Sequence, residues 1–350
     1  MNSIDKVISK ISVFDNSTAL SAKKHLESLA MPHRALGKVM DLAQDLAGIT
    51  GKNHPSFEKK INIVMAADHG VTEETISAYP QEVTVPMVYT MLKEGAAINV
   101  LAKSAGSNVV VVDVGIKSEI EIPENENFIC RRIASGTANF AKGPAMTKGQ
   151  AIKSIETGIE IADCLANKTD VFGLGEIGIG NTTSATAILC AVTGTEPAVV
   201  TGRGTGINDD ILQNKISVIE KTLQLNNPNK NDAVDILQKI GGFEIGAMAG
   251  FILGAASKRI PVIIDGLIST SSVLIAQLLC PKICDFIIAS HEGTEPGHKL
   301  MLKHLNKEAY LNLGLRLGEG TGAALMMPLI DSASAVLNNM FTLEQALAVK

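Results

Sequence analysis

Six short runs of apolar, largely β-branched residues restrict the fold of this 350-residue chain more than any other feature. Each run ends in Gly, Asp, Ser or His. They lie at residues 61–67, 109–115, 170–175, 198–202, 261–266 and 285–290. Runs this continuous are typical of strands buried on both faces of a parallel sheet. Helical patterns such as residues 214–225 lie between them. The sequence therefore predicts an α/β fold with a doubly wound, mainly parallel sheet of about six strands.

The two ends of the chain have a different pattern from its middle. Residues 1–59 and 300–350 are helical by periodicity and carry none of the strand-like runs. We therefore expect an α/β nucleotide-binding domain at residues 60–299. A smaller helical domain is expected from residues 1–59 together with 300–350.

Charge and cysteine usage exclude several classes of protein. The formal net charge is −5 and the 31 Lys and Arg residues are dispersed, so no nucleic-acid partner is expected. No apolar run is long enough for a membrane span, and the first ten residues lack the apolar core of a signal peptide. The five cysteines contain no CxxC pair. They are interpreted as core thiols of a cytoplasmic protein, and no metal site is predicted.

Gly-rich and polar segments follow most of the predicted strands. In a doubly wound sheet, ligands bind beyond the carboxyl ends of the strands. These segments are therefore expected to meet at one edge of the sheet and to form one composite site.

Two of these segments suit a phosphate. Residues 173–183, GLGEIGIGNTT, place glycines and hydroxyls before an apolar helix, whose first N–H groups attract anions. An ordinary tight turn with capping is the competing interpretation. Residues 201–209 form a second Gly-rich turn, in which Arg203 could pair with a phosphate, and Lys215 on the next helix could add charge. A plain surface loop remains open there.

The first segment also satisfies GxGxxG through Gly173, Gly175 and Gly178, with Glu196 about 20 residues on. This pattern keeps an NAD-dependent oxidoreductase open as an alternative. It would, however, place Glu176 beside a pyrophosphate, which is electrostatically unfavourable.

Glu319 is the strongest candidate for a proton acceptor. It lies between Gly318 and Gly320 directly before a helix of small residues. A carboxylate at a helix start is often only a dipole partner. The flanking glycines, however, let a ligand approach closely, and apolar neighbours could raise its pKa toward the range of a general base.

Other strand ends carry weaker signals. Asp68 and His69 follow the first strand, but further metal ligands are missing nearby, so a structural hydrogen-bonding role is favoured. The polar stretch 72–81 is predicted to be a substrate loop. Ser290 and His291 follow the last strand, where a site role and a structural role are equally open.

An ordered set of motifs resembles one family closely. In this order the chain carries AADHGV, SAYPQEVT, GPAMT, GLGEIGIGNTT, KIGGFE, DGLIS, ASHEG and RLGEGTGAAL. Together they resemble the nicotinate-nucleotide–dimethylbenzimidazole phosphoribosyltransferase family over nearly the whole chain. The resemblance implies transfer of ribose 5-phosphate from nicotinate mononucleotide to 5,6-dimethylbenzimidazole, giving α-ribazole 5′-phosphate and nicotinate for cobalamin assembly. It further implies a homodimer and small-molecule substrates, and the reaction needs no cofactor.

The resemblance also implies roles for individual residues. Glu319 falls on the family's catalytic glutamate, and Glu176 is implicated beside it. With the segments above, this gives a predicted site. The expected phosphate and ribose contacts are Gly175, Gly178, Gly180, Asn181, Thr182, Gly202, Arg203, Gly204, Lys215, Ser290 and His291. The expected contacts of the base are Ser77, Tyr79, Gln81, Met87 and Leu317.

Two departures from the family pattern lie in substrate-loop regions. Residues 32–37 are PHRALG where the family commonly has PPGSLG, and Thr75 replaces a frequent glycine before Ile76 and Ser77. They leave the identity of the accepted base open. A non-enzymatic nucleotide sensor on the same scaffold is the second alternative, although a sensor would have no need of Glu319.

Overall fold

The sheet of this protein is parallel throughout. The computed structural model describes residues 3–349. Their strands are β1 (Lys60–Ala67), β2 (Asn108–Gly115), β3 (Phe128–Cys130), β4 (Val171–Ile177), β5 (Val262–Ile264) and β6 (Ile287–Ala289). They form one six-stranded sheet in the order β3-β2-β1-β4-β5-β6, and each neighbouring pair is parallel. The predicted doubly wound α/β fold is confirmed.

Helices fill the connections and both ends of the described chain. They are α1 (Ser3–Ile8), α2 (Asn16–Ser28), α3 (Lys38–Thr50), α4 (Thr84–Leu92), α5 (Ala97–Ser104), α6 (Lys148–Leu165), α7 (Asn181–Thr193), α8 (Pro197–Val200), α9 (Asp209–Asn226), α10 (Ala233–Ile240), α11 (Phe243–Ser257), α12 (Leu267–Leu279), α13 (Pro296–His304), α14 (Thr321–Asn339) and α15 (Leu343–Ala348). Short 3₁₀ turns at Gly70–Glu74, Gln81–Val83, Ala166–Lys168 and Pro281–Phe286 complete the set.

One predicted strand is wrong and one strand was missed. Residues 198–202 belong mostly to the short helix α8, which begins at Pro197, a residue whose fixed φ suits the first helical position. The missed strand is β3, only three residues long, at the edge of the sheet and preceded by a polar loop. It was missed because three residues are too few to establish a periodicity.

The core lies on both faces of the sheet. Every residue of β1 is buried, and its side chains alternate between two apolar clusters: Ile63 and Met65 join one, Val64 and Ala66 the other. Helix α11 packs against β1 and β2. Helices α4, α5 and α14 also pack against the sheet, and residues of all three lie in the Val64 cluster. This two-sided burial explains why β1 is continuously apolar from Ile63 to Ala67.

The strand order fixes where a ligand site can form. The chain moves outward from β1 through β2 to β3, then returns to place β4 on the other side of β1. The carboxyl ends of β1 and β4 therefore lie beside each other at the point where the winding reverses, and loops leaving them diverge and leave a crevice. The segments that begin at Asp68 and Gly178 border this crevice.

Helices α6 and α11 pack in unusually close contact. A Cβ atom added to Gly158 would lie 1.8 Å from the carbonyl oxygen of Ala247, a backbone atom that cannot move independently of its helix. We expect Gly158→Ala to destabilise the fold by about 1–3 kcal/mol, measured by chemical denaturation, because the helices must separate. Gly149→Ala in the first turn of α6, where a Cβ meets nothing closer than 4.0 Å, is the matched control and should not destabilise. Equal stability of the two variants would contradict close packing.

The two ends of the chain meet. Leu29 forms an isolated antiparallel bridge with Thr342, and the Ala30 N–H donates to the carbonyl oxygen of Phe341. Helix α14 packs against α3 and α2, and it also packs against α5 and the sheet. The contacts between the ends agree with a helical unit built from both of them. The division at residues 60–299 remains a prediction.

Two further findings concern the described residues. None of the helices within residues 3–349 is long and apolar enough to cross a membrane. All five cysteines are free thiols, but only Cys190 and Cys280 are fully buried. The prediction of core thiols is therefore wrong for Cys130 and Cys164, which are exposed.

Candidate active site

A cavity of about 350 Å³ opens at the carboxyl ends of the strands. It combines segments that follow β1, β4, β5 and β6 with the loop before α14, as the composite-site prediction requires. Twelve of the predicted site residues line it: Ser77, Tyr79, Glu176, Gly178, Gly180, Asn181, Thr182, Gly204, Lys215, His291, Leu317 and Glu319.

The backbone around Glu319 is held in an uncommon conformation. Gly318, Glu319 and Gly320 have φ angles of +84°, +62° and +89°, the left-handed region that residues with a side chain rarely adopt. This loop lies directly on β4, since a Cβ on Gly175 would be 2.4 Å from the Glu319 carbonyl oxygen. A strained non-glycine residue held by its surroundings is common at functional sites. In this conformation Glu319 is part of the cavity lining.

The Glu319 carboxyl group is buried and incompletely bonded. The side chain is 5% exposed, and its Oε2 atom has no hydrogen-bond partner among the described residues. Burial raises the pKa of Glu319, and a hydrogen bond from the Ile98 backbone offsets part of the rise. A carboxylate with a free oxygen and a raised pKa is suited to accept a proton from a ligand.

Glu176, the last but one residue of β4, lies on the same cavity wall. Its Oε2 accepts a hydrogen bond from the side-chain amide of Asn181. Burial is the main cause that raises the pKa of Glu176 to about 8, and the negative charges of Asp265, Glu244 and Glu319 add to the rise. At neutral pH Glu176 is therefore mostly a neutral carboxylic acid, which can donate a hydrogen bond.

Asp265 is the most important residue that the sequence reasoning left without a role. It follows β5, is buried, and accepts hydrogen bonds from the backbone N–H groups of Gly320 (3.1 Å) and Gly322 (2.7 Å). These are unpaired donors at the start of α14, so Asp265 fixes the Glu319 loop to β5. Burial raises the pKa of Asp265 to about 7. Its position at the end of a predicted strand was a signal that could have identified it.

Lys215 provides a buried positive charge in the cavity. It is 1% exposed, and its Nζ donates to Thr182 Oγ1 at 2.8 Å, in the first turn of α7. Burial lowers the pKa of Lys215 to about 8, and the nearby charge of Glu295 counteracts this. An ammonium group beside a helix N-terminus is suited to bind a phosphate.

Glu295 holds the second Gly-rich loop in place. Its Oε1 accepts a hydrogen bond from the Gly204 N–H at 2.9 Å. A Cβ on Gly202 would lie 1.8 Å from Oε2, so a side chain there would displace the Glu295 carboxylate. Glu295 was missed because an isolated acid some way beyond β6 gives no pattern in the sequence.

The predicted substrate loop lies at the mouth of the cavity. The Ala78 N–H donates to Thr205 Oγ1 at 3.1 Å, and Ser77 Oγ lies 3.4 Å from the same oxygen. The loop is thereby connected to the segment that contains Gly204. Tyr79 and Leu317 are 54% and 58% exposed, and they offer apolar surface at the rim.

Three predicted phosphate contacts do not line the cavity. Gly175 lies inside β4 beneath the Glu319 loop, and Gly202 is buried against Glu295. Arg203 closes its own loop, donating to the Ile207 carbonyl oxygen at 2.8 Å and pairing with Asp209. Its guanidinium is thus occupied at the surface, and Lys215 is the buried cation of this cavity wall.

Three further predicted contacts are also bonded or placed elsewhere. Ser290 is buried with its Oγ 2.9 Å from His291 Nδ1. The Gln81 side chain donates to the His69 carbonyl oxygen at 2.9 Å, so it braces the substrate loop. Met87 is half-buried in α4, outside the cavity wall. It belongs to the helix rather than to the substrate loop, because α4 already begins at Thr84.

The GxGxxG pattern has a packing explanation. Gly173 lies inside β4, where a Cβ would be 2.0 Å from Asn62 Oδ1, and Gly175 makes room for the Glu319 loop. In a dinucleotide fingerprint these glycines form the turn after the strand. Glu196 is exposed at the start of α8. The oxidoreductase alternative therefore loses the features that motivated it.

Asp68 and His69 both make the buried hydrogen bonds expected of a structural role. Asp68 accepts hydrogen bonds from Thr84 Oγ1 (2.7 Å) and the Lys117 N–H (2.8 Å). His69 Nε2 lies 2.6 Å from Glu244 Oε1, and both side chains are fully buried. No cluster of His, Cys, Asp and Glu within residues 3–349 is arranged to hold a metal ion.

Two histidines and one arginine complete the wall. His291 and His298 form an edge-to-face pair 5.7 Å apart, and burial lowers their pKa values to about 4 and about 3. Both rings are therefore neutral at physiological pH. Arg316 also lines the cavity and is exposed. Neither His298 nor Arg316 was among the site residues predicted from the sequence.

Fold and cavity together define a class of protein. A doubly wound sheet carries, at its winding reversal, a cavity with two carboxyl groups of raised pKa and one buried lysine. Lys215 lies beside Thr182 and Gly204, whereas Glu176 lies beside Gly318, so the lysine and the raised-pKa carboxyl groups contact different parts of the lining. This arrangement is that of an enzyme acting on a phosphorylated small molecule.

Comparison with known proteins identifies the family. A family model described as phosphoribosyltransferase matches residues 11–347. The nicotinate-nucleotide–dimethylbenzimidazole phosphoribosyltransferase of Syntrophotalea carbinolica is 47% identical over 99% of this chain and 98% of that protein. The same-named enzyme of Desulfotalea psychrophila is 45% identical over the same shares. The chain belongs to this phosphoribosyltransferase family, and the resemblance seen in its motifs is confirmed.

Solved structures agree with the fold. The crystal structure of CobT from Thermus thermophilus has a TM-score of 0.90 at 37% identity, covering 95% of this chain and 99% of that one.

Proposed function

We propose that this enzyme transfers the 5-phosphoribosyl group of nicotinate mononucleotide to 5,6-dimethylbenzimidazole or a related base. The products are α-ribazole 5′-phosphate and nicotinate, for the lower ligand of cobalamin. The names of the full-length relatives support the reaction. The observation that carries it in this chain is the Glu319 carboxyl group on the cavity wall, with one oxygen free of partners among the described residues.

The donor supplies its own leaving group. In nicotinate mononucleotide the ring nitrogen bonded to C1′ is cationic, so the C1′–N bond breaks with its electron pair moving to nitrogen. The departing ring is neutral at that nitrogen and needs no proton. In the proposed arrangement Lys215, with Thr182 and the N–H groups at the start of α7, binds the 5′-phosphate, while Gly178, Gly180 and Gly204 let the ribose approach the backbone.

The attacking heterocycle must lose a proton, so the reaction needs a proton acceptor. One benzimidazole nitrogen attacks C1′ from the face opposite the leaving group, which inverts that carbon and gives the α-product. Positive charge develops on the attacking ring, the N–H of its other ring nitrogen becomes acidic, and Glu319 accepts that proton. Glu176, neutral at this stage, donates a hydrogen bond to the bound substrates. Positioning both substrates in one cavity contributes at least as much as the base, since effective molarities reach about 10⁵ M or more.

The pH dependence follows from three pKa shifts. On the acid side kcat/KM should fall as Glu319 is protonated, at a pH above the ordinary range of a glutamate because its pKa is raised. On the alkaline side it should fall through about pH 8, where Glu176 loses its proton and Lys215 its charge. A bell-shaped profile of initial rates would agree. A rate that stays constant from about pH 6 to about pH 10 would contradict these roles.

The reaction itself is tested directly. The purified protein is incubated with nicotinate mononucleotide and a panel of bases comprising dimethylbenzimidazole, other benzimidazoles, adenine and a phenol, and products are identified by mass. Formation of a ribazole phosphate with stoichiometric nicotinate is expected. Mononucleotide that stays intact with every base would refute the transferase.

We also propose that the enzyme is a cytoplasmic homodimer. The free state of all five thiols is in keeping with a reducing compartment. The dimer rests on the family resemblance, and light scattering on the purified protein tests it.

A further inference from the structure

Two motifs that the proposed reaction does not use meet behind the cavity. AADHGV supplies His69 and KIGGFE supplies Glu244, whose side chains approach to 2.6 Å with no exposed surface. The other polar atom of each side chain, His69 Nδ1 and Glu244 Oε2, has no partner among residues 3–349. A buried carboxylate with a single bonded oxygen costs stability. A purely structural contact could be made at lower cost by apolar residues, so the pair suggests a functional reason.

The His69–Glu244 pair lies behind the cavity floor, which is the Gly178–Asn181 turn after β4. The His69 ring lies against the turn after β4: a Cβ on Gly180 would be 3.2 Å from His69 Cβ, and one on Gly178 would be 3.7 Å from Cδ2. On the other side a Cβ on Gly242 would lie 2.4 Å from the ring and 2.5 Å from Glu244 Oε2. The ring is therefore enclosed between two glycine turns, and only one of them faces the cavity.

The Gly178–Asn181 turn carries the Asn181 amide, which contacts Glu176. Gly178 and Gly180 lead into Asn181, whose side-chain amide donates to Glu176 Oε2. The charged groups that act on Glu176 come from three other directions: Asp265 after β5, Glu319 before α14, and Glu244 on α11. Glu244 lies behind the cavity floor and does not line the cavity. Asp68, beside His69, is the remaining acid near the pair.

We propose that the buried His69–Glu244 pair is a positioning device for Glu176: it holds the Gly178–Asn181 turn, and thereby the Asn181 amide, in the place where Glu176 is oriented toward the substrates. The pair touches no substrate. This inference rests on the proposed function for its kinetic consequence, but its structural and electrostatic consequences can be measured without turnover.

Three substitutions separate geometry from charge. Glu244→Gln keeps the volume and an oxygen that can accept from His69, but it removes the negative charge. His69→Phe keeps a ring under the glycines but removes the donor, and His69→Gln restores an N–H that can reach the carboxylate. Glu160→Gln, on the exposed face of α6, is the control for loss of a glutamate charge.

The first measurement follows the Glu176 carboxyl group itself. Its infrared C=O band is identified as the band lost in Glu176→Gln and is titrated with pH in each variant that keeps a cooperative melting transition. In Glu244→Gln the titration should move to lower pH, because one of the charges that raise the pKa of Glu176 is gone. Glu160→Gln should leave it unchanged. In His69→Phe it should move to higher pH, because the displaced Asn181 amide no longer lowers the pKa of Glu176. A His69→Phe titration identical to wild type would overturn the proposal, whether or not the protein turns over mononucleotide.

The second measurement is kinetic. His69→Phe should lower kcat by roughly 10- to 100-fold through misplacement of Glu176, with a smaller change in KM for either substrate, and His69→Gln should recover most of the loss. If both variants only melt at lower temperature and keep wild-type kcat, the pair is structural and the inference fails. Absence of turnover in the wild type would instead refute the proposed function, and the infrared titration would still decide this point.

Discussion

Glu319→Gln is expected to lower kcat by about 10²- to 10⁴-fold while leaving the protein folded, since it removes the proposed acceptor for the proton of the attacking ring. The amide has nearly the same shape as the carboxyl group and can keep the left-handed backbone at this position. KM for nicotinate mononucleotide should change little, because the proposed phosphate contacts, Lys215 and Thr182, lie elsewhere in the cavity. The measurement is steady-state kinetics with both substrates varied.

The melting temperature of Glu319→Gln distinguishes a loss of catalysis from a loss of folding. Burial raises the pKa of Glu319 above its value in an unfolded chain, so at neutral pH the buried carboxylate disfavours the folded state. Replacing it by a neutral amide removes that penalty, and the melting temperature should not fall. Glu344→Gln, at the exposed first turn of α15, makes the same chemical change at another helix start and should keep full activity. If Glu319→Gln also kept full turnover, Glu319 would be only a dipole partner of α14.

Lys215→Met is expected to raise KM for nicotinate mononucleotide by roughly 10- to 100-fold, the loss of one charge-assisted contact to phosphate. Methionine fills a similar volume without a charge. The lysine is buried, and burial lowers its pKa to about 8, so the folded protein carries a cost for keeping it charged. The variant should therefore be at least as stable as wild type, which is the usual sign of a residue kept for function.

Nicotinate riboside, which lacks the phosphate, provides the decisive comparison. Wild type and Lys215→Met should use the riboside equally poorly, because the lysine then has no anion to bind. A similar loss with riboside and mononucleotide would mean that Lys215 acts on the fold and not on the phosphate. Arg203→Gln is the matched control: its guanidinium is held by Ile207 and Asp209 at the surface, and its removal should change KM little.

The sequence predicted the sheet and the edge at which the site forms. Both depend on patterns within short segments: continuous apolar runs are typical of buried strands, and polar residues directly after them lie at the carboxyl edge. Glu319, Glu176 and Lys215 were found in this way or through the family's motifs. The same logic misassigned residues 198–202, because a short apolar run after a proline begins a helix as readily as a strand.

The predicted ligand contacts that lie away from the cavity share one cause of error. Glycine and arginine are ambiguous in sequence, because a glycine can admit either a ligand or a neighbouring backbone. Gly173 and Gly175 admit Asn62 and the Glu319 loop, and Arg203 is used by its own loop. Which of these uses a residue serves depends on the atoms that the fold brings beside it.

By itself the sequence therefore determined the parallel α/β fold, the family and the edge of the sheet where the chemistry takes place, since these follow from local periodicity and from long ordered motifs. Only the tertiary structure decided which groups share the cavity and in what charge state. Asp265 fixing the Glu319 loop, Glu295 beside Lys215, and His69 with Glu244 behind the floor are all contacts between distant segments. A pKa responds to burial and to charges in space, and no pattern along the chain specifies either.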